Sequence, residues 1–144
     1  MKETLHYLLM ANHFMFQKEL IASVKDTKLT SGQPKVLDYL RNHDGAIQKE
    51  IAIACHIEPA SLTAILSGME EKGYIERKMK DGNRRSSHVY LTEKGNIYVK
   101  RLVQEFNEIE RKALMGFSEE EKQSLQDLLF RVYENMTQKE GAGK

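Results

Sequence analysis

Apolar side chains recur at helical spacing at both ends of the chain. Groups three and four residues apart share one face of a helix, so the pattern predicts helices over residues 3–24 and 93–115 and a last helix after Gly116. Ser118, with Glu121 three residues later, is a capping box that marks the start of the last helix. The first stripe is broad and comprises Leu5, Tyr7, Leu8, Leu9, Met10, Phe14, Met15, Phe16, Leu20, Ile21 and Val24. Helices this apolar at both ends of a small domain predict a homodimer built on them.

The pattern changes in the middle of the chain. Gln48 opens a short helix, and a second helix over residues 58–72 begins around Pro59, because a first-turn proline has no hydrogen bond to lose and already has a helical φ. That helix ends at Gly73, a residue suited to the left-handed conformation. Alternating residues at 74–79 and 87–91 flank a polar tip and predict a β-hairpin. These parts predict a mainly α fold with a small β-hairpin wing, a winged helix-turn-helix with flanking N- and C-terminal dimerisation helices.

Length and composition narrow the class of protein. The chain has 144 residues, 40% of them apolar, and a mean hydropathy of −0.57, which suits one domain spanning residues 1–144. Within it we expect dimerisation helices at 1–28 and 102–140 and the winged region at 29–101. No apolar run approaches the roughly 20 residues of a membrane span, and Glu3 and His6 interrupt any secretory signal. With a single cysteine, Cys55, the chain is expected to be cytoplasmic, without membrane contact.

The charges are sorted along the chain although the total is only +1. Nine basic and three acidic residues lie between Lys72 and Arg101, a net charge of +6, whereas Leu102 to Glu140 carries −4. A basic surface attracts a polyanion because Lys and Arg neutralise phosphates and release counterions. Beside a helix-turn-helix, this charge favours double-stranded DNA as the partner.

Positions within the predicted reader suggest roles. The helix at 58–72 is the candidate recognition helix, in which Ser61 and Thr63 lie in the first turns that meet base edges or phosphates. An alternative is that Ser61 only caps the helix. Backbone contacts are expected from the starts of the two preceding helices, and further contacts from the wing at 80–87. The predicted DNA-binding residues are Gln33, Lys35, Gln48, Lys49, Pro59, Ala60, Ser61, Thr63, Ala64, Lys80, Asn83, Arg84, Arg85 and Ser86.

The order of these fragments resembles the multiple antibiotic resistance regulator (MarR) family over residues 29–100. The fragments are Leu29-Thr30-Ser31-Gly32-Gln33, Val36-Leu37-Asp38-Tyr39-Leu40, Asn42-His43-Asp44-Gly45, Glu50-Ile51-Ala52, Ser61-Leu62-Thr63, Met69-Glu70-Glu71-Lys72-Gly73-Tyr74-Ile75, Asn83-Arg84-Arg85 and Leu91-Thr92-Glu93-Lys94-Gly95. The resemblance implies a dimeric transcriptional regulator, most often a repressor, on a pseudo-palindromic operator. It also implies a cleft for a small aromatic or amphipathic effector, for which Tyr7, His13, Phe14, Phe16 and Tyr39 are candidates.

The sequence departs from the family pattern in two places. Asn83 stands where an acidic residue commonly precedes the arginine pair and holds one arginine, so we expect Arg84 to enter the minor groove and Arg85 to be structural. Ala64 and Gly68 stand where the family often has basic side chains, which implies weaker or more wing-dependent binding. Alternatively, Gly68 allows a backbone or side chain to approach closely.

Other functions have less support in the residues. Cys55 beside His56 raises the possibility of an activated thiol, but its place at the end of a short helix favours a buried, inert one. His6 and His13 lack interleaved ligands, so no metal and no cofactor are expected. No catalytic motif is present, which argues against an enzyme. Two alternatives stay open: a winged-helix adaptor or antagonist that binds another protein, kept open by Ala64 and Gly68, and a redox or metal sensor of the same fold.

Overall fold

A computed structural model describes the backbone of residues 2–80 and 83–142, and the side chains of residues 2–79 and 87–138. The helices are α1 (Leu5–Ser23), α2 (Gln33–Leu40), α3 (Gln48–Cys55), α4 (Pro59–Glu71), α5 (Glu93–Ala113) and α6 (Glu119–Ala142), and a short 3₁₀ turn (Lys25–Thr27) follows α1. The strands are β1 (Ala46–Ile47), β2 (Ile75–Lys80) and β3 (Asn83–Leu91). The predicted helices and hairpin are thus confirmed to within a few residues at their ends.

Local chemistry sets several of these boundaries. The Thr4 hydroxyl accepts a hydrogen bond from the Tyr7 amide (3.2 Å) and caps α1. The predicted capping box of α6 is present, since the Ser118 amide donates to Glu121 Oε1 (2.9 Å) and the Glu121 amide donates to Ser118 Oγ (3.1 Å). Gly73 ends the α4 segment with a φ of +83°, as its place in the sequence predicted.

The hairpin belongs to a three-stranded antiparallel sheet in the order β1-β3-β2. Ala46 pairs with Val89, and Ile75 pairs with Leu91 across the hairpin. The sequence patterns did not predict β1, because a two-residue strand has no period to detect. Its effect is to anchor the start of α3 to the sheet, since Ile47 pairs with His88 and Gln48 follows directly.

The core of the winged region lies between α2, α3, α4 and the sheet. Its fully buried side chains are Val36, Leu37, Leu40, Ile51, Leu62, Leu66, Met69, Ile75 and Val89. Leu20 of α1 and Leu102 of α5 are also buried, as is Val24 directly after α1. This packing fixes the orientation of α4 relative to α3 and to the strands of the wing.

Between Ile109 and Glu110 the chain divides into two compact units. In the first unit, α1 exposes Leu5, Tyr7, Leu9, Met10, Phe14 and Met15. In the second unit, α6 exposes Leu125, Leu128, Leu129, Phe130, Val132, Tyr133 and Met136. Each unit therefore presents an apolar helix surface.

No single helix in the described parts of the chain is both long and apolar enough to cross a membrane. Only α3 and α4 taken together reach that length and hydropathy, and these two helices are bent by 110° at the turn between them.

The start of α5 packs tightly against the end of the α4 segment. The Thr92 amide donates to the Tyr74 carbonyl (3.1 Å), and the Thr92 hydroxyl donates to the Gly73 carbonyl (2.6 Å) and accepts from the Gly95 amide (3.0 Å). Gly95 is buried, and a Cβ at this position would lie 2.1 Å from the Tyr74 carbonyl oxygen. Only glycine fits this approach of two backbones.

Candidate nucleic-acid interface

Helix α4 has one face in the core and one face in solvent. Leu62, Leu66 and Met69, which recur at helical spacing, are buried, and Ile65 is half-buried. The exposed residues include Ala60, Thr63, Ala64 and Ser67. The helix begins at Pro59 with Glu58 as the N-cap residue and no side-chain cap, so the alternative that Ser61 caps the helix is wrong.

A groove of about 670 Å³ runs between α4, the start of α3 and the strands of the wing. It brings together four of the predicted DNA-binding residues: Gln48, Lys49, Pro59 and Thr63. The remaining lining residues are Ile47, Ser67, Glu70, Arg77, Met79 and Ser87. The groove is therefore walled by the exposed face of the candidate recognition helix and by β2 and β3.

Two side chains join α3 to α4 within this groove. Gln48 Nε2 donates a hydrogen bond to Thr63 Oγ1 (2.9 Å), and Thr63 Oγ1 donates to the Pro59 carbonyl one turn earlier (3.1 Å). The start of α3 is itself fixed, since the Ile47 amide donates to Glu50 Oε1 (3.1 Å). Both polar side chains that line the groove are thus held in place.

An ion pair joins α4 to the wing. Arg77 of β2 contacts Glu70 Oε1 through Nη2 (2.9 Å) and Nε (3.3 Å), and Arg77 Nη2 also lies 3.4 Å from Ser67 Oγ. The hydrogen bond from Arg77 lowers the pKa of Glu70. Arg77 is a basic residue of the groove whose charge is already paired within the protein.

Several other basic residues of the +6 segment also have partners within the protein. Lys72 Nζ donates to the Lys28 carbonyl (2.6 Å) and to Gln33 Oε1 (3.1 Å), and Lys94 Nζ donates to the Lys72 carbonyl (3.1 Å). Arg101 binds both carboxylate oxygens of Asp26 at 2.8 Å, and the hydrogen bond from Arg101 lowers the pKa of Asp26. The net charge of +6 counted from the sequence therefore overstates the number of cationic groups that are available to bind phosphates.

Gln33 was predicted beside the DNA backbone, but its side chain is only 4% exposed. Gln33 Oε1 accepts from the Thr30 amide (3.1 Å) as well as from Lys72. Gln33 Nε2 passes over Gly68, where an added Cβ would lie 3.2 Å away. Gly68 thus allows a side chain to approach α4 closely, which was one of the two interpretations of this residue.

The predicted wing contacts lie outside the described side chains. These residues are Lys80, Asn83, Arg84, Arg85 and Ser86, and Asp81 and Gly82 are wholly outside the described part. Among the described wing residues, Lys78 is exposed, and its Nζ lies 5.0 Å from the centre of the Tyr90 ring.

A pocket of about 790 Å³ lies on the other side of α4, bordered by α1, the segment before α2, the α3–α4 turn and α5. It contains two of the predicted effector residues, His13 and Phe14, but not Tyr7, Phe16 or Tyr39. Tyr39 instead stacks on His43 with ring centres 4.1 Å apart. Lys35 and Ser61, predicted as DNA contacts, line this pocket. The lining residues are His13, Phe14, Gln17, Lys18, Leu20, Ile21, Ala22, Lys25, Ser31, Gly32, Pro34, Lys35, His56, Ile57, Glu58, Ser61, Ile65 and Phe106.

Sequence reasoning missed Lys18, Lys25 and Phe106 as pocket residues. Phe14 and Lys18 lie four residues apart on α1, which places them on one face, and Lys25 follows seven residues later in the 3₁₀ turn. That spacing was a usable signal, whereas nothing local to Phe106 indicates which helix it meets.

Cys55 is 9% exposed, and its Sγ lies 3.6 Å from the Lys35 carbonyl. Burial raises the pKa of this thiol, which lowers the thiolate fraction at neutral pH. The predicted buried thiol is confirmed. Across residues whose side chains are described, no three His, Cys, Asp or Glu groups are placed to hold a metal ion.

Sequence comparisons identify relatives of this chain. A family model described as MarR family matches residues 29–87. The transcriptional regulator PecS of Dickeya dadantii is 39% identical over 87 residues, which are 60% of this chain and about half (52%) of PecS. The regulator YybA of Bacillus subtilis is 30% identical over 112 residues, which are 78% of this chain and 75% of YybA.

Solved structures support the fold. The transcriptional regulator SlyA superposes with a TM-score of 0.84 at 28% identity, over 97% of this chain and 98% of that one. The S. aureus MepR–DNA complex superposes with a TM-score of 0.77 at 28% identity, over 92% and 96% of the two chains. The predicted winged helix-turn-helix fold is thereby confirmed.

Proposed function

Because this chain belongs to the MarR family of transcriptional regulators, we propose that it acts as a homodimer that binds a pseudo-palindromic DNA operator and releases it when a small molecule binds. In this proposal α4 occupies the major groove, the wing lies beside it, and the bound dimer represses transcription. A two-fold symmetric dimer suits a two-fold related site, since each protomer then meets an equivalent half-site.

The observation that carries the DNA-binding proposal is the groove between α4 and the wing. It places the hydrogen-bonding groups of Gln48 and Thr63 beside Lys49 and the exposed turn that begins at Pro59. Side chains that present donors and acceptors read base edges, and neighbouring lysines bind phosphates. The likeness to MepR, which was solved as a DNA complex, supports DNA as the partner.

The apolar helices support the homodimer. Phe14 on α1 is 59% exposed, and Leu128 on α6 is 54% exposed, each among further exposed apolar residues of its own unit. Apolar surface left in water costs about 25 cal/mol per Å², so a second copy that covers it stabilises the assembly. Residues 102–140 carry a net charge of −4, which disfavours their contact with phosphates. That charge suits a region that dimerises and does not bind DNA.

One experiment tests the assembly and its DNA partner together. Light scattering after size-exclusion chromatography should give twice the mass of one chain, and that species should bind a labelled random-sequence duplex at low salt. Leu128→Glu should give a monomer with at least tenfold weaker DNA binding, because it places a charge in the apolar interface. Gln126→Glu, which adds the same charge at an exposed polar position of α6, should remain a dimer. A monomeric wild-type protein that still binds the duplex would contradict the dimer.

The pocket beside α4 supports an effector that is both apolar and anionic. Its wall combines the rings of Phe14 and Phe106 with the cationic side chains of Lys18, Lys25 and Lys35. Apolar walls bury the body of a small molecule, and a few charged groups orient it. Ser61 and Ile65 of α4 also line this pocket. A bound effector would therefore contact the helix that we propose to lie in the major groove.

Naphthoate, an aromatic carboxylate, is a suitable probe, with naphthalenemethanol as its neutral match. Calorimetry should show the acid binding at least about tenfold more tightly than the alcohol, because hydrogen bonds to charged groups add about 1.5–3 kcal/mol. The double variant Lys18→Met and Lys25→Met should lose that difference, whereas Lys100→Met, on an exposed lysine outside the pocket, should retain it. Equal affinity of the wild-type protein for the two probes would rule out an anionic effector here.

A further inference from the structure

The side chain of Gln48 joins the two helices of the helix-turn-helix. It is the first residue of α3, and its amide spans to the second turn of α4, where Nε2 lies 2.9 Å from Thr63 Oγ1. The Ile47–His88 pair in the sheet and the bond from the Ile47 amide to Glu50 fix the backbone from which Gln48 extends. The amide group is thus held at a defined place in the groove.

The hydrogen bonds already made limit what each side chain can still do. The Thr63 hydroxyl gives its only proton to the Pro59 carbonyl and uses one lone pair to accept from Gln48. Gln48 uses one of its two N–H groups on Thr63 and retains the other N–H and its carbonyl oxygen. Gln48 is therefore left with one donor and one acceptor side by side.

We propose that Gln48 reads a base edge and that Thr63 is a positioning residue that holds the Gln48 amide in its reading orientation. This inference rests on the proposed DNA binding and assigns Gln48 a role beyond the backbone contact that the sequence predicts. One donor and one acceptor match the major-groove edge of adenine, which offers the N7 acceptor and the N6 amino donor. Guanine offers two acceptors there, N7 and O6, and would need both N–H groups of Gln48, one of which is committed to Thr63.

A phosphate contact fits this arrangement less well. Phosphate oxygens are acceptors only, so the Gln48 carbonyl oxygen would face them without a donor. Lys49 is exposed next to Gln48 in the same groove and supplies a full positive charge for the backbone. In this arrangement Gln48 contacts the base and Lys49 contacts the phosphate.

The test is selection of duplexes from a randomised pool, followed by affinity measurements on the selected DNA and on each single-base change. The wild-type protein should enrich adenine at one position of each half-site. Gln48→Met, which keeps the length of the side chain without hydrogen-bonding groups, should lose roughly tenfold of that preference. Thr63→Val should relax the same position, and Thr63→Ser, which restores the hydroxyl, should recover it.

Lys49→Met is the matched control, because it removes a charge from the adjacent residue and leaves the amide in place. It should weaken binding to all sequences equally and leave the adenine preference intact. Gln48→Glu, which keeps an acceptor but has no N–H, should lose the preference as Gln48→Met does. Thermal melting of each variant checks that the exposed substitutions leave the fold unchanged.

Four results would overturn the inference. Equal losses on all sequences with Gln48→Met would make Gln48 a phosphate contact. An altered preference with Thr63→Val but not with Gln48→Met would make Thr63 the reader. If the wild-type protein binds random duplex but selects no sequence, the base-reading role fails and the DNA-binding proposal stands. If it binds no duplex at all, both fail.

Discussion

We expect the affinity for random duplex DNA to fall by about a thousandfold or more when the salt concentration rises from about 50 to about 200 mM. Each Lys or Arg that neutralises a phosphate releases counterions, and added salt opposes that release. Two basic residues of the described interface, Lys49 and Lys78, are exposed, and the sequence adds Lys80 and Arg84 in the wing. In a dimer these make eight candidate contacts, and six to ten contacts give a loss of roughly a thousandfold to a hundred-thousandfold.

Fluorescence anisotropy over a series of salt concentrations measures the slope of log affinity against log salt. Lys49→Met should make that slope shallower by about two in a dimer, one contact per protomer. Arg77→Met is the informative contrast, because Arg77 is already paired with Glu70 and should change the slope much less. An affinity that does not depend on salt would favour the alternative in which this winged helix binds another protein.

We also expect Gly95→Ala to lower the free energy of unfolding by about 3 kcal/mol, at the upper end of the range for overpacking. The added Cβ would lie 2.1 Å from the Tyr74 carbonyl oxygen, a backbone atom that cannot rotate away. The same carbonyl accepts the hydrogen bond from Thr92 that starts α5, so moving it costs that bond as well. Thermal melting should show a fall in Tm of about 10 °C.

This prediction opposes the one that helix propensity gives. Alanine is favoured over glycine inside a helix by up to about 1 kcal/mol, so propensity alone predicts that Gly95→Ala stabilises the protein. Gly73→Ala is the matched control: Gly73 has a φ of +83° but no atom within 4 Å of an added Cβ, so it should cost only about 1 kcal/mol of backbone strain. A Tm for Gly95→Ala equal to or above that of the wild-type protein would show that the two backbones separate easily.

The parts of the site that the sequence predicted correctly depend on neighbours in the chain. Three boundaries depend only on residues close together in the chain. They are the helix start at Pro59, the helix end at Gly73 and the capping box of Ser118 and Glu121. The buried face of α4 follows from helical periodicity, which is also local. These features could be predicted because the residues that decide them are adjacent in sequence.

The predictions that changed concern residues whose partners are far away in the chain. Gln33 is polar and stands at a helix start, which suggests a surface role, yet Lys72 holds it in the interior over Gly68. Lys35 and Ser61 lie on helices predicted to meet DNA, but they line the pocket on the other side of α4. Periodicity shows which residues share a face of a helix, but it does not show which element that face contacts.

The order of helices and strands, the winged helix-turn-helix class and the family follow from the amino-acid sequence, because periodicity, caps and motif spacing depend on residues close together in the chain. Three other features arise only when the chain is folded: Gln48 contacts Thr63 15 residues away, Arg77 pairs with Glu70, and α4 lies between a groove and a pocket. These facts depend on how helices and sheet pack together. Packing is set by the fit of all buried side chains at once, which no local stretch of sequence contains.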